Sequence, residues 1–241
     1  MMNLSLNNFK KIFTHSLWEY LLILLLMIIL TKLGFWQLHR AHEKRVIIMQ
    51  FQEQQLHPSL AWTADMKAPV AYQKIKVEGK RLEQRLFLDN QFYHHQLGYH
   101  VIVPVQIQNK ILLVDAGWVK APNNRNKWPT VVMKNQKIWG GVVYFPLSSK
   151  VTYLNQLVDH QQGHRMVIES LDIPKIAHLL QKNVLPWVLR LDKDDSQLLK
   201  REWPLVSLSP EKHYAYAGQW FFMALIAAVI LLWRMIKKNE K

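Results

Sequence analysis

The stretch LWEYLLILLLMIILTKLGFW, Leu17 to Trp36, decides what kind of protein this is. A helix over it spans about 30 Å at 1.5 Å of rise per residue, the thickness of a bilayer's hydrocarbon core. Trp18 and Tyr20 mark one end, Phe35 and Trp36 the other, as in an aromatic belt. Glu19 and Lys32 sit near the ends, where their heads reach the interface. The run is too long for a signal-peptide core and no small-residue cleavage site follows, so it reads as an uncleaved anchor. A second run, Tyr214 to Trp233, carries no charge at all.

Arg234, Lys237 and Lys238 follow the second run at once, and Lys10 and Lys11 precede the first. The positive-inside rule then puts both termini in the cytoplasm. The expected map is a cytoplasmic N-terminus (1–16), a first transmembrane helix (17–36), a periplasmic domain (37–208), a second transmembrane helix (209–233) and a cytoplasmic tail (234–241). A bacterial inner membrane fits better than a mitochondrial import route, because no Arg/Ser-rich amphipathic presequence precedes the first run. The short tail offers no output domain, so a two-span sensor is not expected.

Between the runs, period-two alternation dominates. In YQKIKVEG, Ile75 and Val77 alternate with Lys74, Lys76 and Glu78. In GYHVIVPVQIQNKILLVDAGWV, Tyr99, Val101, Val103, Val105 and Ile107 mark one face, and Asn109-Lys110 reads as the turn into a strand from Ile111 to Val119. Pro104 predicts that the first of these strands is an edge or is interrupted. KIWGGVVYFP, HRMVIES and WVLRLD read as further strands. DIPKIAHLLQK reads as a helix, with Asp172 as its cap and Pro174 in its first turn. The predicted fold is an integral membrane protein whose two transmembrane helices flank a strand-rich α+β extracytoplasmic domain with an antiparallel sheet.

Composition narrows the chemistry. The net charge of +14 is scattered through strands and turns instead of forming a basic run, so no nucleic-acid partner is expected. With no cysteine, disulfides, zinc-thiolate sites and a cysteine nucleophile are excluded. No G-x-S-x-G, G-x-G-x-x-G or P-loop occurs. His160 and His164 have metal-ligand spacing for a helix, but Gly163 between them reads as loop. No catalytic residues are assigned, and the chain is not expected to be an enzyme.

Four stretches resemble the surfeit locus protein 1 family, assembly factors of haem-copper cytochrome oxidase. LGFWQLHRAHEK (33–44) is similar to the family's L-G-x-W-Q-x-x-R opening. FLDNQFYHHQLGYHVIVPV looks like its leucine-aspartate-asparagine segment, and ILLVDAGWV like its V-L-V-x-x-G-W-V strand. KHYAYAGQWF is similar to its H-x-x-Y-A-x-Q-W-F entry to the second span. Ala116, Glu43 and Gly218 depart from the residues usual in the family at those positions. The resemblance implies that the protein helps haem a reach subunit I of the oxidase. Subunit I, haem a synthase and membrane lipid are then its partners. The histidine linked to haem binding in bacterial members matches His213, which would be the axial ligand of the haem iron.

The surroundings of His213 support two readings. Ser209-Pro210 starts a helix, and Ala217, Trp220 and Ala224 fall on the same face as His213. Small residues leave room for a macrocycle, with Trp220 and Tyr216 at its edge and Trp36, Gln37 and Arg40 at the same membrane level. Arg40 is a candidate partner for a propionate. On the other reading, the alanines are where two helices meet, the aromatic residues are interface anchors and Arg40 snorkels to headgroups. The alternative function is an adaptor that stabilises an oxidase assembly intermediate through protein contacts, without haem. A membrane-tethered enzyme would instead need a cluster of polar residues in a pocket of the soluble domain.

Overall fold

The computed structural model describes residues 3–124, 127–133, 136–146, 158–193 and 199–239, with side chains from Leu17 to Lys237. Lys10, Lys11 and Lys238, whose charges bear on orientation, lie outside those described side chains. The chain folds as two compact units, a helix pair (Met1–Met49 with Leu205–Lys241) and a sheet domain (Gln50–Pro204).

Among the described residues two helices are long and apolar enough to cross a membrane. The first, α1 (Asn3–Leu56), does not stop at Trp36 but runs on through QLHRAHEKRVIIMQFQEQQL. These residues are mostly good helix formers, and no breaker occurs before His57-Pro58, where proline disfavours α geometry in the residue ahead of it. The stretch 37–56 is therefore helical, a continuation of α1 beyond the apolar run. The other long helix, α3 (Pro210–Asn239), begins at Pro210, one residue after Ser209.

The two helices run antiparallel: Glu19 pairs with Arg234 near one end, and Gln37 meets His213 near the other. Between these points Phe221 lies against Gly34, where a Cβ would come within 2.5 to 2.9 Å of its ring. The same ring packs edge-on against Phe35, with centroids 5.3 Å apart. Glycine lets the aromatic side chain settle onto the helix backbone, the small-residue principle of transmembrane packing.

The sheet domain contains β1 (Leu60–Ala61), β2 (Lys74–Glu78), β3 (Lys80–Arg81), β4 (Arg85–Tyr93), β5 (Gln96–Ile107), β6 (Lys110–Lys120), β7 (Ile138–Tyr144), β8 (Val158–Gln162), β9 (Arg165–Ile168), α2 (Ile173–Leu180) and β10 (Val184–Leu191). The strands form one sheet in the order β1-β2-β7-β10-β6-β5-β4-β9-β8, with β3 also pairing β5. The expected purely antiparallel sheet is corrected to a mixed one. The pairs β1–β2, β6–β10 and β4–β9 are parallel. Side-chain alternation has the same period in both kinds of pairing, so it does not distinguish them.

The central strands β5 and β6 are buried on both faces, which explains why their sequences read as nearly continuous apolar runs. On one face Val101, Val103, Val105, Leu112 and Val114 pack with Trp62, Trp139 and Trp187. On the other, Leu86, Ile102, Ile111 and Leu113 pack with Ile176 of α2. Asp172 caps that helix by accepting a bond from the Lys175 amide at 3.2 Å.

Pro104 belongs to a central strand and not to an edge. Its carbonyl accepts from the Leu82 amide, so its backbone faces the gap where β3 ends and β4 has not begun. The missing proline donor thus falls at an interruption in the neighbouring strand. The turn between β5 and β6 is Gln108-Asn109, one residue earlier than expected. Gly117 has φ +123°, and a Cβ there would lie 2.9 Å from the Lys200 carbonyl oxygen. Close backbone approach is therefore the role of the Gly-Trp pair.

Trp139 is fully buried and donates its indole N–H to the Gly79 carbonyl at 3.0 Å. Trp139→Ala is expected to destabilise the sheet domain by about 3–5 kcal/mol, read from urea unfolding followed by circular dichroism. In the helix pair, Gly34→Leu is expected to lower the thermal midpoint in detergent clearly more than Gly34→Ala. Equal midpoints for the two variants would show that Phe221 does not depend on the space at Gly34.

Candidate functional site

His213 lies in the first turns of α3, where its amide approaches the Ser209 carbonyl at 3.4 Å. Among the described side chains the buried positions of α3 are Pro210, His213, Ala217, Ala224 and Ala227; those of α1 in the same unit are Leu30, Gly34 and Ala41, with Gln37 half-buried among them. Steps of three and four residues recur in both lists, the spacing of about 3.5 residues that keeps one seam facing a partner helix.

His213 is only 8% exposed. Its Nδ1 lies 2.7 Å from Oε1 of Gln37. The amide oxygen can only accept, so Nδ1 carries the proton and donates. The lone pair then resides on Nε2, which is buried and has no hydrogen-bond partner among the described residues. Leaving a buried polar atom unpaired costs about 1–3 kcal/mol. An imidazole with one nitrogen held by an acceptor and a free lone pair on the other has the donor set of a metal ligand.

The other sequence-predicted residues are dispersed. Trp36 is 53% exposed and Tyr216 46% exposed, while Trp220 is half-buried. Arg40 is engaged within its own helix, donating to Glu43 Oε2 at 2.7 Å, and His39 contacts the same carboxylate at 3.3 Å. Glu43 therefore already supplies the anion that Arg40 was expected to seek. Gln219, which the helix geometry sets on another face, is exposed. The residue that closes the site is Gln37, and the 3-4 spacing of Leu30, Gly34, Gln37 and Ala41 is the signal that picks it out.

In the sheet domain, buried Asp115 lies 2.9 Å (Oδ2) and 3.1 Å (Oδ1) from Nδ1 of His100, and its Oδ1 accepts the Gly117 amide at 3.2 Å. These bonds hold β6 where the register shifts between His100 and Ile102 and where Gly117 turns left-handed. The carboxylate is satisfied by its own strand and the adjacent one, a structural arrangement. His160 lies on β8 and stacks on Trp128, whereas His164 sits in the following turn and pairs with Glu83. The two share no helix. Among the described residues no group of three His, Asp or Glu side chains is placed to hold a metal ion.

The SURF1 family model matches residues 24–225. A SURF1-like protein of Rickettsia prowazekii (strain Madrid E) is 29% identical over 225 residues, covering 87% of this chain and 86% of that protein. A SURF1-like protein of Rickettsia bellii (strain RML369-C) is 27% identical over 230 residues, covering 91% and 90%. The matched region takes in the whole sheet domain and the adjoining parts of both long helices, and the chain belongs to the SURF1 family, an assembly-factor family linked to cytochrome oxidase.

Proposed function

We propose that this protein serves cytochrome oxidase assembly from a membrane, with both long helices spanning it and the sheet domain on the periplasmic side, and that it carries haem a as cargo towards subunit I. The observation that carries the reading is the His213–Gln37 pair. A neutral imidazole whose Nδ1–H is fixed at 2.7 Å leaves Nε2 as the one unsatisfied ligand atom in the seam among the described residues. Haem iron takes such a nitrogen as an axial ligand, and the second-nitrogen acceptor sets the ring's tautomer and basicity. His213 would be the ligand and Gln37 its positioning residue. Trp220, Tyr216 and Trp36 would supply aromatic surface near it.

The same burial supports the adaptor reading. With Nε2 enclosed and Ala217 buried one turn below, the seam as described is a closed helix contact. Cargo reaches His213 only if the helix ends separate there. An adaptor that grips subunit I or haem a synthase needs no such movement.

Co-expression with haem a synthesis, followed by purification and absorbance spectroscopy, distinguishes the two. Haem a bound to the wild type and absent from His213→Ala supports the cargo reading. No haem in the wild type, with subunit I or haem a synthase recovered in pull-downs, supports the adaptor. Gln37→Leu removes the acceptor and leaves His213 in place. It is expected to weaken haem retention about 10- to 100-fold, the usual effect of losing a partner to a ligating histidine. Unchanged retention in Gln37→Leu would remove Gln37 from the site.

A further inference from the structure

We propose that Arg81, Arg85 and Arg165 form an anion site on the sheet domain that takes a phosphate group. Arg85 on β4 and Arg165 on β9 are directly in register on parallel strands. Neighbouring strands lie about 4.8 Å apart, so two like charges start from adjacent Cα positions, an arrangement that destabilises a sheet unless something neutralises it.

All three arginines share one face. Phe87 and Val167 follow Arg85 and Arg165 by two residues and belong to the core cluster of Val103 and Val105. Arg81 is in register with Val105 on β5, which puts it on that same face one turn of chain away.

No carboxylate answers these charges among the described residues. The ion pairs found there include none to Arg81, Arg85 or Arg165. Glu83, which lies between two of them in the chain, is 81% exposed and turns to His164 at 3.1 Å. The stretch from Ala121 to Lys137, part of which packs on this face through Trp128, Val131 and Met133, contains no Asp or Glu.

Arg81 and Arg85 are also partly withdrawn from water, while Arg165 is exposed at the mouth of the cluster. Nη1 of Arg81 is buried without a hydrogen-bond partner among the described residues. Among the described residues Arg85 has only a long contact, 3.5 Å from its Nη1 to the Val131 carbonyl. Burial first, and then the charges of Arg81 and Arg165, hold the Arg85 pKa below its ordinary value. A tetrahedral oxyanion has enough acceptor oxygens to bridge several guanidinium forks, whereas one carboxylate satisfies one fork. Gln162, in register with Arg165, accepts from the Trp128 indole and closes the aromatic side of the site.

The test uses the full-length protein in detergent, titrated with inorganic phosphate at constant ionic strength against sodium chloride. The wild-type melting temperature is expected to rise by a few degrees with phosphate and not with chloride. Arg165→Gln should melt no lower than the wild type without phosphate, because it relieves the Arg85–Arg165 opposition. It should also weaken the apparent phosphate affinity at least about tenfold. Arg81→Gln should show the same loss of affinity. An equal rise with chloride, or an undiminished phosphate response in both variants, would overturn the site. Reconstitution into nanodiscs of phosphatidylcholine, with or without phosphatidylglycerol, then identifies the source. A phosphate response abolished by phosphatidylglycerol assigns the site to a lipid headgroup, and one that persists assigns it to a soluble phosphate ester.

Discussion

The seating of Phe221 against Gly34 fixes everything in the helix pair. A side chain on Gly34 would occupy the space of the ring, so the two helices keep their spacing only because residue 34 has none. Once that contact is set, the antiparallel register follows along the seam in both directions. One turn further along α1 it brings Gln37 to His213, and at the far end it brings Glu19 to Arg234. The polar pair at the candidate site thus depends on a purely steric condition a few residues away.

Much of this was legible in sequence. Both apolar helices, the β5–β6 hairpin, α2 with its Asp172 cap and the start of α3 after Ser209 follow from local signals: apolar length, alternation, and capping chemistry. The parallel pairings were not legible, because β4–β9 and β6–β10 join residues far apart in the chain and leave no mark on alternation. The extension of α1 to Leu56 is legible in composition and not in hydropathy: nothing between Trp36 and Pro58 opposes a helix, although the apolar run ends at Trp36. At the site, His213 carried the resemblance, but its partner Gln37 is 176 positions away and becomes apparent only when the two 3-4 patterns are laid against each other.

The two units use arginine and histidine in opposite ways. In the helix pair, buried His213 is made specific by a neutral acceptor, so its chemistry is that of a lone pair. In the sheet domain, His100 is matched to a carboxylate and nothing is left over. The arginines divide similarly. Arg190 lies over the Tyr144 ring at 3.5 Å and Arg40 holds Glu43, while Arg85 and Arg165 lie in register with no ion pair among the described residues. Residue type alone does not separate ligand from scaffold; the partner does.

The place of β10 has a consequence for the order of folding. It is the last strand of the sheet in the chain, yet it lies between β7 and β6. Without it, β1-β2-β7 and β6-β5-β4-β9-β8 are two separate ribbons, each with a long unpaired edge. A growing chain therefore cannot complete the sheet until Leu191 has been made and inserted between β7 and β6. Both ribbon edges stay open to wrong partners for that whole interval.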